Sequence, residues 1–163
     1  TGEEAERAIA VYRERFAPVG IFENQIYPGI PQMLESLYRR GMRLAVASSK
    51  PIGFVKQILA HFDIEKYFDV VVGSELDGTR GTKEEVVEEA LGQLGILTMP
   101  VTERHGRCAM TGDRKFDIQG AKAYGLTGVG VGFGFAEEGE LEEAGAEYIA
   151  ETVAELAEFL CGT

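Results

Sequence analysis

Three polar segments carry the side chains whose types and spacing could do chemistry. Ser48 and Ser49 follow the apolar run MRLAVA, and Lys83 ends a glycine-rich stretch, GSELDGTRGTK. Asp113 follows another apolar run, RCAMT, and Asp117 comes four residues later. Hydroxyl, ammonium and carboxylate groups are what a protein needs to hold a phosphoryl group beside a hard cation. Together, these residues indicate phosphoryl chemistry.

Each group has its own role in such a site. Asp113 suits Mg²⁺, which prefers oxygen ligands and keeps several waters. Lys83 can neutralise the charge of a transferring phosphoryl group. The Ser48 hydroxyl, with the amides of the following helix, can donate to phosphate oxygens. Asp117 can hold a metal-bound water or orient Lys83.

Each residue, taken singly, also has a structural explanation. A serine such as Ser48 after a strand commonly serves a turn or a cap. A first-turn lysine such as Lys83 is usually solvated, although its charge opposes the helix dipole. Asp113 and Asp117 could be a turn residue and a helix cap. Their shared occurrence after successive strands is what favours a functional site.

The elements that must position these residues alternate along the chain. Apolar runs predict strands at 42–47, 69–73, 107–111, 127–132 and 146–150. Helical spacing and capping residues predict helices that begin near residues 3, 30, 51, 83, 117, 137 and 152. Apolar strands separated by helices imply a doubly wound α/β fold, with a parallel sheet covered on both faces. Ligands of such sheets lie beyond the carboxyl ends of the strands.

The composition limits the partners. The formal net charge of −11 argues against a broad nucleic-acid surface, which needs clustered cations, but it permits a small phosphorylated metabolite. No apolar run approaches the roughly 18–20 residues that span a bilayer, so a membrane partner is not expected. Cys108, expected in the core, and Cys161 lack metal-ligand spacing and indicate reduced thiols in a cytoplasmic protein. The acidic run at 137–147 is expected to be a solvated face.

Three of these segments resemble motifs of one known family. VASSK at 46–50, GTK at 81–83 and MTGDRKFD at 110–117 resemble the second, third and fourth motifs of haloacid dehalogenase-type phosphatases. The resemblance covers nearly all of residues 10–160, and GDRKFDIQGAKAYG is quite specific. Within the superfamily the chain is most similar to the phosphoglycolate phosphatase-like branch, which has a helical cap inserted early in the chain.

The resemblance implies a Rossmann-like core and Mg²⁺-dependent hydrolysis of a small, phosphoglycolate-like phosphomonoester through an aspartyl-phosphate. Ser48 would bind the phosphoryl group, and Ser49 would add a backbone donor. Lys83 would bind the same group and steady the nucleophile and the transition-state charge. Asp113 would ligate Mg²⁺, and Asp117 would support the metal shell or the lysine.

The resemblance also predicts a domain division and a missing part. Residues 1–20 would be the remnant of the helical cap, and 21–163 the α/β core without its first strand. That strand carries the nucleophile in an Asp-x-Asp motif, which does not occur in this sequence. The nearest match, ELDGT at 75–79, has Glu in the nucleophile position and corresponds to the glycine-rich loop before the lysine. We therefore expect the nucleophile upstream of this chain, and the chain alone to be inactive.

Two other interpretations remain open at this point. A catalytically degenerate, phosphatase-like module would bind phosphate, metal or a protein, and the absent nucleophile favours it. The retained Ser48, Lys83, Asp113 and Asp117 argue against it, because a scaffold has no evident need for all four. A receiver-like signalling domain would also use carboxylates and a lysine, but it explains poorly the helix and connector before the first strand.

Overall fold

The computed structural model describes residues 20–162, so nearly all of the predicted cap remnant at 1–20 lies outside the described residues. The strands are β1 (Ala45–Pro51), β2 (Val70–Ser74), β3 (Ala109–Gly112), β4 (Thr127–Val131) and β5 (Tyr148–Ala150). The helices are α1 (Ile30–Arg39), α2 (Ile52–His61), α3 (Lys83–Gln93), α4 (Val101–Arg104), α5 (Lys115–Ala123), α6 (Glu140–Ala144) and α7 (Val153–Gly162). The short segments Gly20–Phe22 and Glu65–Tyr67 are 3₁₀ turns.

The described strands form two parallel sheets. One contains β1 and β2, and the other has the order β3-β4-β5. Every pairing in both sheets is parallel. Helices lie between consecutive strands, so the predicted α/β class with a parallel sheet is confirmed, but the strands described do not join into one sheet.

One edge of β1 faces away from β2. The carbonyl of Leu44, just before the strand, accepts the N–H groups of Asp69 and Val70. Successive residues of a parallel strand direct their backbone groups to opposite edges, so Ala45 and Ala47 direct theirs away from β2. Among residues 20–162, no strand pairs with this edge.

The same argument applies to β3. The carbonyl of Cys108 accepts the N–H of Thr127, at the start of β4. The backbone groups of Ala109 and Thr111 therefore point away from β4, and both residues are exposed. Within the described part of the chain, β3 also has one edge that no strand pairs.

Helices cover both faces of the two sheets. On one face, α3 packs on β1 and β2, α5 packs on β3 and β4, and the two helices contact each other. That contact contains the buried side chains Val87, Leu91, Ala121 and Leu126, with Ala47 and Met110 packed against them. The core on this face therefore runs from one sheet to the other.

The opposite face is covered by α1, α2 and α7. Leu34 of α1 packs with Val55 and Leu59 of α2, against β1 and β2. Met33 and Leu37 of the same helix pack with side chains of the second sheet and α7, namely Val129, Ala150 and Leu156. Helix α1 is thus shared between the two sheets, and it fixes them in one body from the side opposite α3 and α5.

The boundary after the first strand differs from the prediction. β1 continues to Pro51 instead of ending at Ala47, so Ser48 and Ser49 lie within the extended segment. The register shifts between Ala47 and Pro51, and Pro51 pairs with Ser74. Pro51 is the extended residue that precedes α2, not its first helical residue. The irregular end of the strand, which the apolar pattern does not reveal, explains the difference.

The helix after β3 also begins earlier than predicted. α5 starts at Lys115 and places Asp117 in its first turn, whereas the apolar pattern indicated a start at Asp117. The four-residue helix α4 was not predicted, because its sequence, VTER, is too short to show a period. The predicted capping box of Thr82 and Glu85 is confirmed at the start of α3.

The described helices include none that combines the length and the apolar character needed to cross a bilayer.

Arg104 anchors the connection between α3 and β3. Its side chain is buried, and its guanidinium donates to the carbonyls of Leu97, Met99 and Tyr124 at 2.9–3.0 Å. These carbonyls come from the loop before α4 and from the end of α5. The guanidinium therefore ties the loop before α4 to the end of α5.

We predict that Arg104→Met lowers the free energy of unfolding by about 2–4 kcal/mol, because buried carbonyls lose their donor. Arg107→Met is the matched control, since Arg107 is 66% exposed and its nitrogen lies 3.9 Å from Glu103. The control should stay within about 0.5 kcal/mol of the parent protein. Chemical denaturation measures both, and equal stabilities of the two variants would contradict the anchoring role.

Candidate functional site

Lys83 lies at the first position of α3, where the Thr82–Glu85 capping box fixes the start of the helix. Its Nζ donates to the carbonyl of Ala47 at 2.9 Å and pairs with Oδ1 of Asp117 at 2.9 Å. The side chains of Lys83 and Asp117 are only 15% and 10% exposed. Because Ala47 lies in β1 and Asp117 follows β3, this ammonium group bridges the carboxyl-terminal sides of the two sheets.

Asp117 is held by the turn that leads from β3 into α5. Its Oδ2 accepts the N–H of Arg114 at 3.0 Å, so the carboxylate caps its own helix as well as pairing with Lys83. A Cβ at Gly112 would lie 2.1 Å from Cγ of Asp117. Only glycine at 112 leaves room for the carboxylate in this position. The capping role weighed from sequence is therefore real, and it coexists with the ion pair.

Asp113 points to a different neighbour. Its Oδ2 accepts the N–H of Phe135 at 3.0 Å, in the loop that follows β4. A Cβ at Gly134 would lie 2.2 Å from Cβ of Asp113, so glycine is needed there too. Asp113 is half-buried and lies at the same sheet edge as Asp117, but it accepts a hydrogen bond from this loop.

The two serines lie at the end of β1, directly after the carbonyl that Lys83 contacts. The hydroxyl of Ser48 accepts the N–H of Lys50 at 3.2 Å, and Ser48 is half-buried. The carbonyl of Ser49 accepts the hydroxyl of Ser74 at 2.9 Å, and Ser49 is exposed. Ser48 thus directly follows the residue whose carbonyl Lys83 contacts, while Ser49 is fixed through its backbone.

The carboxylates at this sheet edge are few for a metal site. Within residues 20–162, no group of three or more His, Cys, Asp and Glu side chains could hold a metal ion. Asp113 and Asp117 provide carboxylate oxygens, the donor type that Mg²⁺ prefers, and this ion usually binds one or two carboxylates with waters and phosphate oxygens. The donor chemistry therefore fits Mg²⁺, provided that water, substrate or a further segment completes the shell.

Sequence reasoning missed one residue beside this turn. Glu140 was expected on the solvated face at 137–147, yet its side chain is only 8% exposed. It accepts Nε of Arg114 at 2.9 Å and the N–H of Lys115 at 2.8 Å. These bonds and one from the N–H of Glu137 lower the pKa of Glu140 to about 2. The acidic run at 137–147 contains six glutamates, and its sequence gives no sign of which one turns inward.

The comparison with protein families decides the classification. Residues 2–131 match the family described as haloacid dehalogenase-like hydrolase. The chain belongs to this family. Since the match covers most of the chain and includes Ser48, Lys83, Asp113 and Asp117, the predicted family membership is confirmed.

Several proteins resemble this member of the haloacid dehalogenase-like hydrolase family over much of its length. It is 43% identical over 137 residues to a 5'-nucleotidase of Pseudomonas aeruginosa, covering 84% of this chain and 59% of the relative. It is 39% identical over 161 residues to the tyrosine-protein kinase PtkA of Mycobacterium tuberculosis, covering 98% and 53%. A phosphoglycolate phosphatase of Colwellia psychrerythraea is 26% identical over 149 residues, covering 91% and 63%.

Among solved structures, a predicted phosphatase from Clostridium acetobutylicum superposes with a TM-score of 0.90 at 42% identity. The match covers all of this chain and 72% of that structure. The fold is therefore that of the haloacid dehalogenase-like hydrolases. The chain spans between about half and two thirds of the length of the curated relatives named above.

We predict that Gly112→Ala lowers the free energy of unfolding by about 1–3 kcal/mol, because the new methyl group and the Asp117 carboxylate cannot share the same space. The control is Gly53→Ala, where the added Cβ would have no neighbour within 4 Å and lies in α2. There, alanine should stabilise the helix by about 0.5–1 kcal/mol. Equal denaturation midpoints for the two variants would show that Asp117 does not need the space beside residue 112.

Proposed function

We propose that this chain forms most of the core of a Mg²⁺-dependent phosphatase that hydrolyses a small phosphomonoester. The observation that carries the proposal is the position of Lys83, whose ammonium group lies between the carbonyl of Ala47 and the carboxylate of Asp117. A buried cation at the carboxyl ends of parallel strands, beside serine and aspartate, is suited to binding and stabilising phosphoryl charge.

The residues of this chain would divide the work as follows. The Ser48 hydroxyl and the Ser49 backbone N–H would donate to phosphoryl oxygens. Lys83 would offset the negative charge that develops on the transferring group, and Asp117 would keep its ammonium group in place. Asp113 would hold Mg²⁺, with Asp117 supporting the metal shell. When bound, the ion would supply further positive charge for the phosphoryl oxygens.

The nucleophile is proposed to be an aspartate upstream of this chain, on a strand between the edges of β1 and β3 that face away from β2 and β4. Two observations support this position. Neither edge is paired by a strand within residues 20–162, and the backbone groups of Ala47 and Thr111 point away from β2 and β4, respectively. Lys83 contacts the first of these residues from the carboxyl-terminal side. A parallel strand placed there would end beside its ammonium group.

The proposed chemistry has two steps. A carboxylate oxygen of the upstream aspartate attacks phosphorus, the bond between phosphorus and the ester oxygen breaks, and the alcohol leaves with a proton from an acid group. Water then gives up a proton to the same group and attacks phosphorus, and the bond between phosphorus and the aspartate oxygen breaks. This step releases inorganic phosphate and restores both the carboxylate and the acid group. In both steps Lys83 stabilises charge on the phosphoryl oxygens and is not itself covalently changed.

The substrate class is proposed as a small phosphorylated metabolite, with phosphoglycolate and nucleoside monophosphates as the two to compare first. Relatives described as phosphoglycolate phosphatase and as 5'-nucleotidase support this choice, and the second is the more similar in sequence. We also propose a cytoplasmic protein without nucleic-acid or membrane partners, supported by the net charge of −11 and the widely spaced cysteines.

The alternative is a module that keeps the fold and binds without catalysis. One observation favours it: Lys83 joins the two sheets through a backbone carbonyl and a buried carboxylate, which is a structural role sufficient to retain the residue. The alternative predicts that loss of the Lys83 charge changes the free energy of unfolding, and that the parent protein does not hydrolyse phosphomonoesters. The two variants below therefore separate the hypotheses.

Asp113→Asn should reduce Mg²⁺-dependent phosphate release by about 100-fold or more at limiting Mg²⁺, because a neutral amide is a poorer ligand than a carboxylate. The measurement is phosphate release from phosphoglycolate and from a nucleoside monophosphate, by the protein with its upstream segment. Asp63→Asn is the control, since that carboxylate is 85% exposed and pairs with Lys66 at the surface. Unchanged release at limiting Mg²⁺ would remove Asp113 from the metal site.

Lys83→Met should lower kcat by about 10²–10³-fold, because the methionine keeps the apolar stem but removes the charge. It should also destabilise the fold, since it leaves the buried Asp117 carboxylate without its cation. Lys83→Met combined with Asp117→Asn removes both charges and should recover stability without recovering turnover. Lys56→Met is the control, because Lys56 is exposed. Normal kcat in a folded Lys83→Met variant would exclude the charge-stabilising role.

A further inference from the structure

We infer that Glu140 is a positioning residue that sets the geometry of the turn carrying Asp113 and Asp117; the catalytic part of this inference rests on the proposed phosphatase function. Glu140 belongs to α6, which follows β4, and it lies far along the chain from that turn. Its carboxylate nevertheless contacts two successive residues of the turn, Arg114 and Lys115. It is therefore the side chain through which α6 can control the site.

The Glu140 carboxylate contacts the start of α5 through one of its oxygens. Oε1 of Glu140 accepts both Nε of Arg114, at 2.9 Å, and the N–H of Lys115, at 2.8 Å. Lys115 is the first residue of α5, so its N–H is one of the groups that the helix itself leaves without an acceptor. The opposite oxygen, Oε2, accepts the N–H of Glu137 at 3.1 Å. One carboxylate thus joins the start of α5 to the loop before α6.

Two carboxylates accept backbone N–H groups at the start of α5. Asp117 caps the N–H of Arg114 from within the helix, and Glu140 caps the N–H of Lys115 from outside. The Asp117 carboxylate also pairs with Lys83, so any rotation of this helical turn moves the ion pair. Two separate carboxylates therefore fix adjacent amides, and the external one leaves Asp117 free to direct its other oxygen to Lys83.

Glu140 is itself held in place by the packing of its helix. The next residue, Leu141, is 3% exposed and packs on β4, where a Cβ at Gly130 would lie 2.9 Å from its Cδ1. Helix α6 is therefore seated on the strand that neighbours β3, and the Glu140 side chain has little freedom. Its pKa of about 2 means that the carboxylate is ionised throughout the neutral range, so its hold on Arg114 does not vary there.

Three variants isolate this role. Glu140→Ala removes every contact, whereas Glu140→Gln keeps an oxygen for the Lys115 N–H but loses the ion pair with Arg114. Glu142→Ala is the matched control, because Glu142 is exposed, lies on the same helix and carries the same charge. In the protein with its upstream segment, Glu140→Ala should lower kcat by about 10–100-fold, as loss of an outer-shell partner typically does. KM should change less than threefold, Glu140→Gln should lie between, and Glu142→Ala should match the parent.

Amide hydrogen exchange provides the readout that does not depend on turnover. The Lys115 amide should exchange at least tenfold faster in Glu140→Ala, while amides of β2, remote from the turn, keep their parent rates. An unchanged Lys115 rate would overturn the inference, even if the parent enzyme proved inactive. Faster Lys115 exchange with an unaltered kcat would overturn the positioning role alone. A parent protein without phosphatase activity would instead contradict the proposed function. In that case the exchange rate of the Lys115 amide would still test whether Glu140 holds the turn.

Discussion

The ammonium group of Lys83 is the contact on which the arrangement of the site depends. It lies between a backbone carbonyl of β1 and a carboxylate that follows β3, so it connects two sheets whose facing edges are not paired with each other within residues 20–162. Charges buried to this extent need a partner, because the free-energy cost of desolvating them is otherwise not offset by electrostatic attraction. The sheet ends, the α3 cap and the turn before α5 must therefore keep the two partners together.

The turn between β3 and α5 meets that requirement through space as much as through charge. Glycine at 112 leaves room for Asp117, and glycine at 134 lets the loop after β4 approach Asp113. Glu140 reaches the same turn from outside and binds its first helical amide. The two aspartates consequently have separate supports, one in the lysine pair and one in the β4 loop. That separation is compatible with their distinct proposed roles in charge positioning and metal binding.

The sequence predicted much of this and missed identifiable parts. The alternation of apolar and amphipathic segments was sufficient to predict the parallel α/β class. The polar residues that follow the predicted strands pointed to Lys83 and Asp117, which the fold brings into direct contact. The end of β1 was misplaced because a register shift near Pro51 leaves no trace in apolar periodicity. Glu140 was missed because it is surrounded by other glutamates, and only tertiary packing distinguishes the one that turns inward.

The most direct test compares the 17.8 kDa chain, verified by intact mass, with the same protein carrying its upstream segment. Phosphate release from phosphoglycolate and from a nucleoside monophosphate would be measured for both, with and without Mg²⁺. We predict Mg²⁺-dependent release only when the upstream segment is present, since that segment is proposed to supply the attacking aspartate. Clear release by the verified chain alone would contradict this account, and it would direct the search for the nucleophile to Glu75 and Asp77.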